Sequence, residues 1–425
     1  MTESRKLFSS DMLFAIALAV VTVLVAGMGL LTVARLTSPT ASVKAAFVDG
    51  GLLADEAAYR AYAKLGRVTA DCDIAGQLVK VNKTFYRYLF APQVPKDPDQ
   101  VLSTCQLTRD LAFADSNTGF AMRSVDGNPV GLRALTRLTF SVAPMIVWQI
   151  SLSVIALLIC VGTALVDIRR GTSSALKLAL LSAAGAIAIV FGATSLSLGL
   201  GALLWPLAFS LVFLTGGQPV WRTLLISAVL GATAVIFDYS AALGFTVLVS
   251  LMLAMTAQGL SGKDLVRNLI VYVASAVLVV LTLAIASAIA RGMDAPAAVI
   301  YVAERFTDVP ALLGAGSGDL VVQDSNRLVR MLTNYNGWLA LGFYGWVILM
   351  VFAGWAIGLK GDGLLGRALI VSVIAAVAWA VLCFDRVTSQ PLQFASLPLL
   401  LFAYAVTALL VTLLWSRPAS RESAK

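Results

Sequence analysis

Apolar stretches long enough to cross a hydrocarbon core of about 30 Å recur along this chain, parted by short polar turns and two long polar segments. Ten such stretches are read from the pattern: 11–36, 141–166, 175–197, 199–215, 221–237, 240–259, 266–290, 338–358, 366–384 and 391–415. The stretch 199–215 is short for a span and fits a broken or re-entrant helix. With no water in the bilayer core, each span must satisfy its own backbone, so helices are expected. The predicted fold is therefore an all-α polytopic membrane protein of about ten transmembrane helices with a small, mainly helical extracytoplasmic cap.

The same pattern divides the chain into an N-terminal tail and first span (1–36), an outer segment (37–140) and six spans (141–291). A second outer loop (292–337) and three spans ending in a tail (338–425) complete it. The first span lacks a small-residue cleavage site and reads as a retained anchor. Within the outer segment, Asp55 to Leu65 and Ile74 to Phe90 read as helices, and Asp126-Gly127-Asn128-Pro129 as a turn. Gly131 to Phe140 reads as an amphipathic helix lying at the bilayer interface, with Arg133 and Arg137 opposite Leu132, Leu135 and Leu138. The second loop reads as a helix over Ala295–Phe306, a glycine turn, and a helix from about Ser325 to Thr333.

Charge placement orients the spans. With Arg5 and Lys6 inside, every basic short loop falls on the same side: Arg169, Arg170 and Lys177; Arg222; Lys263 and Arg267; Lys360 and Arg367; Arg417, Arg421 and Lys425. Both termini are then cytoplasmic and the two long segments are external. Composition agrees, because an apolar fraction of 59% with 13% charged residues excludes a soluble domain. The net charge of +8 becomes an orientation signal and not a nucleic-acid footprint. Partners are expected to be membrane lipids, with no nucleic acid.

Two cysteines, Cys160 and Cys383, sit inside predicted spans and read as small apolar residues. The other two, Cys72 and Cys105, share the outer segment, where an oxidising compartment allows a bridge between them. Closing a loop of that size would stabilise the segment by about 3 kcal/mol. No CxxC or Cys/His cluster points to a metal.

Histidine is absent, so acid–base work falls to carboxylates, tyrosines or the substrate. Asp55-Glu56 lies about twenty residues beyond the first span, where a carboxylate could deprotonate an acceptor hydroxyl; acids early in a helix also simply complement its dipole. Asp238 joins two spans at the outer surface, a depth at which a carboxylate marks a wet cavity or a partner. Arg386, beside Asp385, stands at a similar depth and could equally pair with its neighbour. In the second loop, Arg305, Arg327 and Arg330 could clasp a phosphate or diphosphate through bidentate guanidinium forks. Gly314 and Gly316 in the turn would let backbone amides approach the same anion. The bland alternative pairs these arginines with Glu304, Asp308, Asp319 or lipid headgroups.

The region 300–350 resembles the C-terminal signature of O-antigen polymerases and ligases. There an arginine-bearing helix precedes a P-x-x-G-x-G-like turn, followed by a His-Asn-x-x-Leu stretch and a G-x-x-G opening the next span. Here Arg305 precedes Pro310-Ala311-Leu312-Leu313-Gly314-Ala315-Gly316, then Tyr335-Asn336-Gly337-Trp338-Leu339 and Gly342-Phe343-Tyr344-Gly345. Tyr335 stands where ligases carry histidine, which speaks against a ligase using that residue. The long outer segment with Asp55-Glu56 is more similar to the wider GT-C superfamily of membrane glycosyltransferases, which carry an acidic motif in their first outer loop.

Both resemblances imply glycosyl transfer at the periplasmic face of a bacterial inner membrane, from a polyprenyl-(di)phosphate-linked sugar or oligosaccharide to a glycan acceptor. They imply polysaccharide assembly as the setting, with assembly proteins as compatible partners. No cofactor is required by that chemistry, and a divalent cation near Asp55 is compatible with it. Two other classes fit the spans: a transporter or flippase of lipid-linked sugars, and a non-catalytic assembly subunit. Transporters usually carry broken or charged helices at mid-membrane in repeated halves, whereas the charges here cluster at span ends.

Overall fold

The computed structural model describes residues 10–48, 68–79, 84–96, 104–114, 120–124, 130–172, 174–194, 196–215, 220–237 and 242–307. The expected spans 338–358, 366–384 and 391–415, and the expected helices near 55–65 and 325–333, lie outside the described residues.

Helix α1 (Ser10–Ala34) opens the described chain and is followed by α2 (Thr40–Phe47), α3 (Val68–Val79), α4 (Phe85–Phe90), β1 (Gln93–Pro95), α5 (Thr104–Phe113), β2 (Met122–Ser124) and α6 (Val130–Phe140). The bundle then continues with α7 (Met145–Arg169), α8 (Ala175–Thr194), α9 (Leu196–Ala202), α10 (Leu204–Leu214), α11 (Val220–Phe237), α12 (Ala242–Ala257), α13 (Gly262–Ala290) and α14 (Ala295–Thr307). The described chain is thus mostly helical. Among the described residues, four helices, α1, α7, α11 and α13, are long and apolar enough to cross a membrane. Shorter apolar windows cover Leu176–Ile189, Gly199–Leu214 and Thr246–Ala257.

Helix α10 packs among α7, α8, α11 and α12. Leu204, Trp205, Ala208, Phe209, Val212 and Phe213 are all buried, so its apolar character runs around the whole circumference. Its polar atoms are matched inside: Trp205 Nε1 donates to Thr246 Oγ at 2.9 Å, and Thr163 Oγ donates to Ser210 Oγ at 2.7 Å. The break between α9 and α10 at Leu203 has a local cause. Pro206 has no N–H to give to Ala202, four residues earlier, and its ring crowds that carbonyl. The short 199–215 stretch is accordingly a broken helix.

Helices α1, α11 and α13 run parallel. Met12, Ala15, Ile16 and Ala19 pack with Leu224, Ala228 and Val271 near the three N-termini. Leu31 and Ala34 pack with Ala232, Ile236, Leu283 and Ala290 near the three C-termini. Close approach of α11 to α13 depends on Gly231, whose missing Cβ would overlap the Tyr272 carbonyl. The outward faces of α1 and α7 stay apolar and open, with Phe14 68% and Leu158 64% exposed, the surface a lipid phase would cover.

The described parts of residues 37–140 form a cap on the C-terminal ends of those parallel helices. Tyr88, Leu89, Phe90 and Ala91 of the α4 region join the cluster containing Leu283 and Ala290. A second cluster gathers Val43 and Phe47 of α2, Ile74 and Leu78 of α3, Leu132 and Phe140 of α6, and Trp148 at the head of α7. The disulfide Cys72–Cys105 ties α3 to α5, with the two Cα atoms 5.1 Å apart. One expected helix, Ile74–Phe90, is instead two helices, α3 and α4, with residues 80–83 outside the described set. A two-stranded antiparallel ribbon, pairing Gln93 with Ser124 and Pro95 with Met122, was not expected from the pattern. Strands this short carry too few residues to show alternation.

Candidate functional site: the seam between cap and bundle

The best described polar constellation lies where the cap meets α1, and α6 builds it. Two arginines one turn apart leave this helix and enter the protein, not the surface. Arg133 is 2% and Arg137 3% exposed. Arg133 donates through Nη2 to the Tyr88 carbonyl and to the Leu89 carbonyl at 3.2 Å. Arg137 donates through Nε to the Ala34 carbonyl at 2.8 Å, through Nη1 to that of Leu78, and through Nη2 to that of Thr37 at 2.6 Å.

These acceptors share a property. Ala34 ends α1, Leu78 lies in the last turn of α3, and Tyr88 and Leu89 in the last turn of α4. The last four carbonyls of any helix lack intrahelical donors, and cations are favoured at that negative end. Two guanidinium forks therefore cap three helix C-termini at once. This corrects the expectation of an interfacial helix with its arginines on the outer face. Leu132 is fully buried as well, so α6 is enclosed on both faces.

Electrostatics at the seam are strongly positive. Arg133, Arg137 and Arg35 lie 5.2, 6.0 and 5.9 Å from the centre of the Tyr88 ring, and Arg35 also faces Phe85 at 5.4 Å. Burial pushes the Arg133 guanidinium down to about 10, with the neighbouring Arg137 charge acting the same way. Arg133 thus stays charged at neutral pH. Burial lowers Arg137 too, and it raises the Tyr88 phenol against the pull of the three arginines. The Tyr88 hydroxyl is buried without a hydrogen-bond partner among the described residues.

Helix α14 is brought to the same end of the molecule. After α13, Gly292 takes φ 105°, a left-handed conformation that suits glycine, and the chain reverses. Asp294 then starts α14, its Oδ1 accepting from Ala297 N at 2.7 Å. Ala298 and Val302 are buried, and α14 packs on α13.

Of the residues singled out from sequence, Cys72 and Cys105 are joined. Arg305 lies in the last turn of α14, and its side chain is outside the described residues. Asp55, Glu56, Asp238, Gly314, Gly316, Arg327, Arg330 and Arg386 lie outside the described residues too. Arg133 and Arg137 were visible in the sequence only as an i,i+4 pair. No signal in the pattern connects them to carbonyls some fifty and one hundred residues upstream.

Comparison with known proteins returned no matching family model, no matching curated protein and no matching solved structure.

Proposed function

We propose that this chain transfers a sugar or oligosaccharide from a polyprenyl-(di)phosphate-linked donor to a glycan acceptor, at the periplasmic face of a bacterial inner membrane. The observation carrying this reading is the return of α14, the helix bearing Arg305, over the end of the bundle that holds the disulfide-tied cap. The resemblance of residues 300–350 to O-antigen polymerases supports it, as does the compartment that a stable disulfide requires.

In this scheme, Arg305, Arg327 and Arg330 hold the donor's diphosphate, assisted by amides of the Gly314–Gly316 turn and by Arg386. Negative charge grows on the leaving diphosphate as its bond to the anomeric carbon breaks. Cations already fixed in place stabilise that charge more in the transition state than in the ground state. The acceptor hydroxyl forms the new bond from the opposite side, giving inversion. Its proton passes to a carboxylate, for which Asp55, Glu56 and Asp238 are the candidates. The scheme runs without a metal and tolerates a divalent cation near Asp55.

Replacing Arg305 or Arg327 with Ala, in a strain depending on this protein, should shorten surface glycan chains by at least tenfold in the amount of long product. Unchanged glycan banding at normal expression contradicts the assignment.

A further inference from the structure

At the other end of the bundle, where the basic short loops lie, a cavity of about 320 Å³ opens among the ends of α7, α8, α10, α11, α12 and α13. It is at the small end of ligand sites, which span about 300–1,000 Å³, so it suits a headgroup-sized molecule and not an oligosaccharide.

Its lining is chemically divided. On one side stand two cations. Lys177 is only 7% exposed, and its ammonium donates to the Thr172 carbonyl at 2.9 Å. The carboxylate nearest to it, that of Asp167, lies 3.8 Å away, beyond hydrogen-bond reach. The ammonium also lies 5.5 Å from the Phe213 ring centre. An ammonium has three donors, so capacity remains on a buried cation that lines a cavity. Arg170 stands beside it and donates through Nη1 to the Leu214 carbonyl at 2.7 Å, leaving most of its fork open.

On the other side stand acceptors. Thr223 donates its hydroxyl proton to the Val220 carbonyl at 2.8 Å, which leaves its lone pairs for the cavity. The Asp264 carboxylate accepts from Ser261 Oγ at 2.7 Å and lies 3.7 Å from Arg267. With Asp264 matched by Arg267 and Asp167 set against Lys177, the charge left over is the positive one of Arg170.

We propose that this cavity binds a phosphate ester whose alcohol part carries hydrogen-bond donors, of the phosphoglycerol type. The phosphate faces Arg170 and Lys177, and the hydroxyls face Thr223 and Asp264. Such a group can come from a lipid headgroup or from a soluble ester. The site lies opposite the cap and does not depend on the glycosyl-transfer reading.

The test uses the purified full-length chain. Glycerol phosphate and inorganic phosphate are titrated by calorimetry in detergent, and retention of phosphatidylglycerol is measured by mass spectrometry after exchange into nanodiscs. Arg170→Gln should weaken the bound species about tenfold or more, as expected for loss of a charge-assisted hydrogen bond. Arg222→Gln, on the same face but stacked on Trp221 outside the cavity, should change binding less than twofold. Thr223→Val keeps shape and removes an acceptor. It should weaken glycerol phosphate and spare inorganic phosphate, and so tests the proposal even if Arg170→Gln does not fold. Binding of free glycerol phosphate identifies a soluble ester; retention of phosphatidylglycerol without competition by glycerol phosphate identifies the lipid. No binding of either, or equal losses in Arg170→Gln and Arg222→Gln, overturns the proposal.

Discussion

At the scale of single residues, the seam and the bundle depend on groups that hydropathy ranks poorly. Arg137 supplies donors to three carbonyls in a place that excludes water. Truncating it to Ala strands those acceptors, at about 1–3 kcal/mol for a buried unsatisfied group. Arg137→Ala should therefore loosen the cap, seen as faster proteolysis within residues 37–140 with the bundle intact. Protection equal to wild type would refute the capping role. Gly231 acts by absence: a methyl there meets the backbone carbonyl of Tyr272, which cannot rotate away. Gly231→Ala should cost about 1–3 kcal/mol and lower the melting temperature in detergent. Gly131→Ala should be milder, because its new methyl meets side chains and not backbone, the end of Ile236 at 2.9 Å and the Phe237 ring at 3.0 Å.

At the scale of elements, the long apolar helices among the described residues were legible and the cap was not. Four expected spans, 11–36, 141–166, 221–237 and 266–290, meet helices long and apolar enough to cross a membrane, because twenty apolar residues in a row have few other uses, and Pro206 accounts for the break in 199–215. The cap is assembled from helices of six to twelve residues whose stability comes from each other, so local pattern says little about their ends. Ile74–Phe90 therefore read as one helix where the structure has two. The Cys72–Cys105 bridge was legible, because compartment and elimination left one pairing in the outer segment. It closes a separation of 33 residues, and its loss should destabilise the cap by about 3 kcal/mol. Cys72→Ser should run more slowly than wild type on a non-reducing gel and lose the cap's protease protection, while Cys160→Ser should do neither. The candidate carboxylates and the arginines of the second loop rest on residue type and spacing alone, which do not say which side chains meet.

At the scale of the whole molecule, parallel α1, α11 and α13 give the bundle two unlike ends. One carries Arg170, Lys177, Arg222, Lys263 and Arg267; the other carries the cap and α14. With the first end in the cytoplasm, as proposed, a cysteine introduced at Gly171 should react with a membrane-impermeant maleimide only after permeabilisation. One introduced at Val142, which is 83% exposed beside the cap, should react in intact cells. The reverse pattern inverts the topology and removes the periplasmic reaction. The central claim is that this bundle is an enzyme acting on a lipid-linked sugar. The most direct measurement is therefore made on purified protein in liposomes loaded with a polyprenyl-diphosphate-linked sugar and an external glycan acceptor. Glycosyl transfer should release polyprenyl diphosphate with glycan extension, with no net translocation of intact donor and with loss of turnover in Arg305→Ala. Translocation of intact donor without cleavage would contradict it.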